Sequence, residues 1–141
     1  MAGFTFSHRL SGGAPTIQDL LFADTETLTK GDMVNLQTGE VDLLATIDNA
    51  IVGVVLETKA GTDSTTRIKC ITDDDAVYSV VDNNARLAGA TLDISGATGA
   101  QTVTTSSNKE FIVVAESSAT EPTLVIINPS MHGFAGTALA G

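Results

Sequence analysis

An all-β fold is the class this sequence predicts, and three observations predict it. Between residues 28 and 127, short β-branched runs alternate with turn clusters. The composition is 43% hydrophobic but only 4% aromatic, with no Trp, so a core has to be built from Val, Ile, Leu and Ala, residues that favour strands. Helix signals are confined to 16–23, about two turns behind a Thr cap, and to 81–88, about one turn; neither is long enough to stand without packing. Many short strands at this spacing predict a compact β-barrel or sandwich of antiparallel strands with one short helix. At 141 residues the chain has material for one hydrophobic core, and two domains would be a stretch.

Taken from the start, Phe4, Phe6, His8 and Leu10 alternate with Thr5, Ser7 and Arg9, a strand pattern. Ser11-Gly12-Gly13-Ala14-Pro15 then forms a flexible joint. Residues 1–20 are therefore expected to be an extended N-terminal arm that binds a partner by adding a strand to a neighbour's sheet edge, with Phe4, Phe6 and Leu10 as its anchors. The alternative is that this strand folds back and pairs within its own sheet. Residues 21–130 form the β-barrel domain, with strands expected at 33–37, 41–45, 51–58, 67–72, 76–81, 91–94, 102–105, 110–116 and 123–128. Gly-, Asp- and Ser-rich turns such as Lys30-Gly31-Asp32, Asp73-Asp74-Asp75 and Ser95 to Gly99 separate them. The C-terminal tail, 131–141, is rich in Gly and Ala and is expected to lie along a neighbour or fray.

Charge narrows the function classes. A formal net charge of -10, from 17 acidic and 7 basic residues, repels phosphate backbones, which argues against a nucleic-acid partner. The acidic residues are spread along the chain and read as a solubilising surface on a β-protein that must avoid edge aggregation. Apolar stretches such as 51–56 and 111–115 are far too short to span a bilayer, so no membrane role is expected. A lone Cys70 and the lack of a basic, then apolar, leader after Met1 suggest a chain made in a reducing cytoplasm.

Catalytic chemistry finds no foothold, and no cofactor or metal is expected. Asp73-Asp74-Asp75 lacks the spaced acids, Gly and terminal Glu of an EF-hand and reads as a solvated hairpin end. His8 and His132 have no metal-spaced neighbours. Cys70 shares a strand parity with Ile68 and reads as a small buried hydrophobe rather than a nucleophile. There is no Gly-x-Ser-x-Gly elbow, and Gly12-Gly13 lacks the Lys of a phosphate-binding loop.

The run Leu28-Thr29-Lys30-Gly31-Asp32-Met33-Val34 resembles the opening of the phage head decoration, or capsid cement, proteins. The likeness continues through Thr38-Gly39-Glu40-Val41, Asp48 to Val55 with its apolar-apolar-Gly-Val strand, Ala88-Gly89-Ala90-Thr91-Leu92 and Asn108 to Val114, covering 27–128 as an ordered pattern. The resemblance implies a β-tulip barrel on the outer capsid surface of a virion assembled in a host cytoplasm. It also implies a homotrimer that bridges and stabilises subunits of the major capsid protein, with no catalytic residues. A carbohydrate- or receptor-binding β-module of a phage tail or cell surface is the rival. The scarcity of aromatic residues, with Tyr78 the one tyrosine, argues against a sugar platform.

Overall fold

The computed structural model describes residues 3–22, 27–37, 39–44, 50–61, 66–105 and 108–133. Within them lie thirteen strands: β1 Phe4–Arg9, β2 Ile17–Leu21, β3 Thr27–Leu28, β4 Met33–Gln37, β5 Glu40–Leu43, β6 Ile51–Val54, β7 Lys59–Ala60, β8 Arg67–Ile71, β9 Ala76–Val80, β10 Thr91–Ser95, β11 Thr102–Thr105, β12 Phe111–Val113 and β13 Thr123–Ile127. A single 3-10 turn, Pro129–Met131, follows. Every ladder is antiparallel. All nine expected strands are present within a residue or two at most ends, except that the second, third and eighth are shorter; Ala45, Ser106, Ser107 and the tail from Phe134 onward lie outside the described residues.

The largest sheet has six strands in the order β1-β9-β13-β12-β10-β11. Its inner face follows the period of two: along β13, Thr123, Val125 and Ile127 are buried and the residues between them are half-buried. The sheet curls until its edges meet at one corner, where Gly3 N–H donates to Gln101 O at 2.9 Å and Thr102 Oγ1 to Val81 O at 2.7 Å. No ladder joins β1 to β11. The remaining strands form a second, smaller assembly. β2 pairs with β8, β8 reaches β6 through the Val55–Cys70 bridge, β6 pairs with β4, β4 with β5, and β5 returns to β2 through the Phe22–Val41 bridge. Two joins in that circuit are single bridges, so the described strands make a compact, sandwich-like all-β body rather than a continuous closed barrel.

Each assembly has its own core, and the two cores share a wall. On β6 and the residue after it, Ile51 and Val54 point into the larger core while Val52 and Val55 point into the smaller one. On β4, Met33 and Val34 divide the same way; across the end of β8, Ile71 faces the larger core and Ile68 and Cys70 the smaller. A strand buried on both faces reads as a continuous apolar run, which is what Ile-Val-Gly-Val-Val is. Gly53 is required there because a Cβ would lie 2.0 Å from Ile71 O and 2.7 Å from Tyr78 Oη.

Three expectations are overturned. The extended arm expected at 1–20 is not what residues 3–20 form, Met1 and Ala2 lying outside the described residues: β1 pairs with β9 from Phe4↔Val80 to Arg9↔Ala76, and Gly12 and Gly13, both at positive φ, turn the chain back toward β2. The cause is burial. Phe4 is 2% exposed and stacks on Phe111 at 5.3 Å, and Phe6 meets Tyr78 edge-on at 6.4 Å. A bulge between Phe6 and His8 then takes up one residue and reverses the parity, which leaves His8 and Leu10 facing outward. The short helix expected at 16–23 is strand β2 over Ile17–Leu21, because an isolated two-turn helix cannot offset its nucleation cost while the β8 edge offers five paired residues. Ala23 lies outside the described residues. Residues 81–88 are an irregular loop in which Asn83 adopts a left-handed φ of 64°.

Candidate interaction surface

The acidic residues do more than solubilise. Asp32, Asp73, Asp82, Asp93 and Glu110 are buried, and each accepts hydrogen bonds that staple neighbouring segments together. Asp93 accepts from the N–H groups of Asn108 and Lys109, and Glu110 from Ile94 N–H. The Asp73–Asp75 turn is likewise not a solvated hairpin end. Asp73 accepts Thr16 N–H at 2.6 Å, and Asp75 accepts Arg9 Nε at 2.8 Å, Ser11 N–H at 3.1 Å and the Ser11 hydroxyl. Burial alone would raise the Asp75 carboxyl, but the hydrogen bonds from Ser11 and Arg9 outweigh it and hold its pKa at about 2.

The turn at 29–32 builds one wall of a concavity beside β1. Phe4 N–H donates to Gly31 O at 2.8 Å and Gly31 N–H to Val55 O at 3.0 Å, so this turn is clamped between β1 and the end of β6. Gly31 sits at φ 97°, a conformation that favours glycine, and a Cβ there would crowd Phe4 O at 3.2 Å. Asp32, fully buried, accepts from Thr29 N–H at 2.8 Å, Thr98 Oγ1 at 2.5 Å and Gly99 N–H at 2.8 Å, tying the turn to the loop between β10 and β11. Behind it, the buried Gln101 amide acts as a stray peptide unit. Its Oε1 accepts Met33 N–H at 2.6 Å, and its Nε2 donates to Met33 O at 3.1 Å and Leu44 O at 2.9 Å.

These contacts enclose a groove of about 700 Å³ beside β1, lined by Phe4, Thr5 and Phe6 on one side and by Thr29–Gly31, Val54–Leu56 and Gly99 on the others. In an antiparallel strand the N–H and C=O of one residue point to the same side and those of the next to the opposite side. Phe4 N–H points away from β9, toward Gly31, so the main-chain groups of Phe6 also point away from β9, at the groove. The far half of β1 is guarded by its bulge and by Arg9; Phe4–Phe6 carries no charge, Pro or bulge. Lys30 is exposed on the rim.

Of the three expected anchors, the structure brings two to this groove. Phe4 is a core residue whose edge reaches it, Phe6 is half-buried along it, and Leu10, 58% exposed, lies apart beside the Asp75 turn. Lys30, Gly31, Val54 and Leu56 were not singled out as site residues, although Lys30-Gly31-Asp32 and Ile-Val-Gly-Val-Val are the motifs that carry the resemblance.

The lining of the groove holds no His, Cys, Asp or Glu, and the described residues contain no group of three or more such side chains placed to hold a metal ion. Cys70 is buried where the sequence places it, and burial pushes its thiol up to about 12, which makes it a poor nucleophile. His132 is buried against β6, bridged to Ile51, and burial lowers its pKa despite nearby Asp74 and Asp73; His8 is exposed beside Ser7. The sequence matches no protein-family model and no curated protein.

Proposed function

We propose that this chain is a capsid decoration protein, a cement subunit that binds the outer surface of a viral shell and bridges coat subunits. The observation that carries the reading is the groove: an apolar concavity onto which the main-chain groups of Phe6 at the sheet edge open, with no His, Cys, Asp or Glu in its lining, suits a segment of another protein rather than a small substrate. The strand and turn order that resembles the decoration proteins supports it. So do the two cores on a shared wall, which we read as a β-tulip-type barrel, and a trimer is the expected form on the shell. A coat-protein segment in the groove would lie against Phe6, Val54 and Leu56 and meet the main-chain groups of Phe6. The sugar-binding alternative is disfavoured because Tyr78, Phe22 and Phe111 are buried and Phe4 reaches the groove only by its edge, which leaves half-buried Phe6 as the one aromatic ring along it among the described residues.

The test is occupancy. Particles purified from the cells that make this chain are analysed by quantitative mass spectrometry, and the polypeptide is expected at a fixed ratio to the coat protein. Shells lacking it are then titrated with the wild-type protein and with Thr5→Arg, a change at an exposed position on the groove, which is expected to weaken binding at least ~10-fold, or about 1.4 kcal/mol. Absence from particles, together with no binding to shells, overturns the proposal.

A further inference from the structure

The sheet edge that opens onto the groove beside β1 is short and stopped at both ends. At one end the 29–31 turn covers Phe4: Gly31 O takes the Phe4 N–H at 2.8 Å, and Gly31 packs on Phe4 O so closely that a Cβ would meet it at 3.2 Å. That turn is itself fixed, by Gly31 N–H on Val55 O and by Asp32 on Gly99 N–H. At the other end, the bulge between Phe6 and His8 breaks the phase of β1. Between these stops, Phe6 alone turns its N–H and C=O toward the groove. An added strand can therefore pair with one residue of β1 before it meets the turn. A chain that continued past Phe4 would have to bend sharply away, whereas a chain that ends there fits without bending.

Charge decides which end of a chain that is. Lys30 is the only charged residue in the lining, stands exposed on this same turn, and forms no ion pair among the described residues. A strand added parallel to β1 would bring its amino end, an ammonium, against Lys30; one added antiparallel brings its carboxyl end. The net charge of -10 repels a partner rich in acidic residues, but a terminal carboxylate adds a single charge and places it beside the one cation of the groove. The side chains that precede it would rest on Phe6, Val54 and Leu56, a surface that suits apolar residues. We infer that the groove captures the free carboxyl end of a partner chain, extended and antiparallel to β1, with apolar side chains before the terminus and the α-carboxylate on the Lys30 ammonium. The inference deepens the function proposed above and rests on it only for the partner being a coat protein.

The full chain is immobilised and challenged with random pools of short peptides, one pool with free carboxyl ends and one amidated, and captured peptides are sequenced by mass spectrometry. The wild type is expected to capture free-ended peptides at least ~10-fold better, with apolar residues enriched before the terminus and a preference that shrinks as salt rises. Lys30→Gln is expected to lose the preference, while Lys59→Gln, which removes another exposed ammonium, keeps it. Circular dichroism verifies that both variants fold. In a second arm, shells lacking the chain are trimmed with carboxypeptidase and are expected to bind it at least ~10-fold more weakly than untrimmed shells. Equal capture of the two pools, capture of neither, or a Lys30→Gln variant that keeps the preference overturns the inference. So does a peptide copying this chain's own Ala138–Gly141 that outcompetes the enriched sequences, since the occupant is then a second copy. Undiminished binding to trimmed shells overturns the inference and leaves the decoration reading standing. Capture of free-ended peptides without binding to any shell supports the inference and sinks that reading.

Discussion

The turn at 29–32 and the loop at 81–90 are both irregular, and both are held by one buried aspartate. They differ in what the aspartate holds. Asp32 is surrounded by neutral donors, two of them main-chain N–H groups, from Thr29 and Gly99. Asp82 is bound chiefly by the side chain of Arg86, four residues on, with Asn84 and Thr123 in support. The first arrangement joins two distant stretches of chain through the backbone, whereas the second is a local ion pair that sequence change can replace as a unit. One fixes the wall of a groove; the other fixes the shape of a protruding loop while cancelling its charge.

The largest expected effect follows from breaking the ion pair. Asp82→Ala leaves Arg86, whose side chain is 13% exposed, without its partner and is expected to cost about 3 kcal/mol in denaturant unfolding. Replacing both, as Asp82→Leu with Arg86→Met, is expected to recover most of that loss, because an apolar pair of similar volume leaves no uncompensated charge. If the double variant is no more stable than Asp82→Ala, the loop is not the replaceable unit described here.

Asp32→Ala comes next, at about 2 kcal/mol, since it strands the main-chain donors of Thr29 and Gly99 in a part-buried site. No second-site change can mirror the loop's rescue. Thr98→Val, which removes the one side-chain donor, is expected to cost about 1 kcal/mol by itself and not to restore Asp32→Ala. A full rescue would contradict the contrast between backbone and side-chain stapling.

Acid sharpens the comparison further. Burial alone would raise the Asp82 carboxyl, yet the hydrogen bonds from Arg86 and Asn84 lower it, and Asp75 is held at about 2. Both folded-state values lie below those of the unfolded chain. Their contribution is therefore fully present above about pH 4; that of Asp75 is lost as pH falls toward about 2, and that of Asp82 fades in the same direction. Thermal melts between pH 6 and pH 2.5, as round working values, are expected to show a falling Tm that flattens in Asp82→Leu with Arg86→Met, where that linkage is gone. An unchanged pH slope would remove the ion pair from the account. The smallest effect is Leu87→Asp, expected within about 0.5 kcal/mol of the wild type, because the side chain is exposed and touches no core cluster.

The strands were legible wherever alternation and turn chemistry coincided, as in Arg67–Ile71 and Thr123–Ile127. β2 was not, because Ile17, Leu20 and Leu21 also fit a helical spacing, and only the β8 edge, remote in sequence, decides between the two. The pairing of β1 escaped for the same reason: a local pattern announces a strand but not its partner. Of the groove, Phe4 and Phe6 were visible as apolar strand residues, whereas the wall opposite them depends on Asp32 meeting Gly99, 67 positions away. An aspartate that staples a loop has the same sequence appearance as one that faces water. That is why a charge count read as surface concealed five buried carboxyl groups.

The wall shared by the two cores also fixes the alignment of its strands. Along β4 and β6, neighbouring side chains belong to different cores, so a slip of one residue would exchange every apolar contact between two cavities of different shape and drive a side chain into the space that Gly53 leaves for Ile71 O. A sheet with one wet face can slide at the cost of that face alone. Here both faces object at once, so pairing errors during folding are expected to be rejected at the centre of the molecule before its loops have closed.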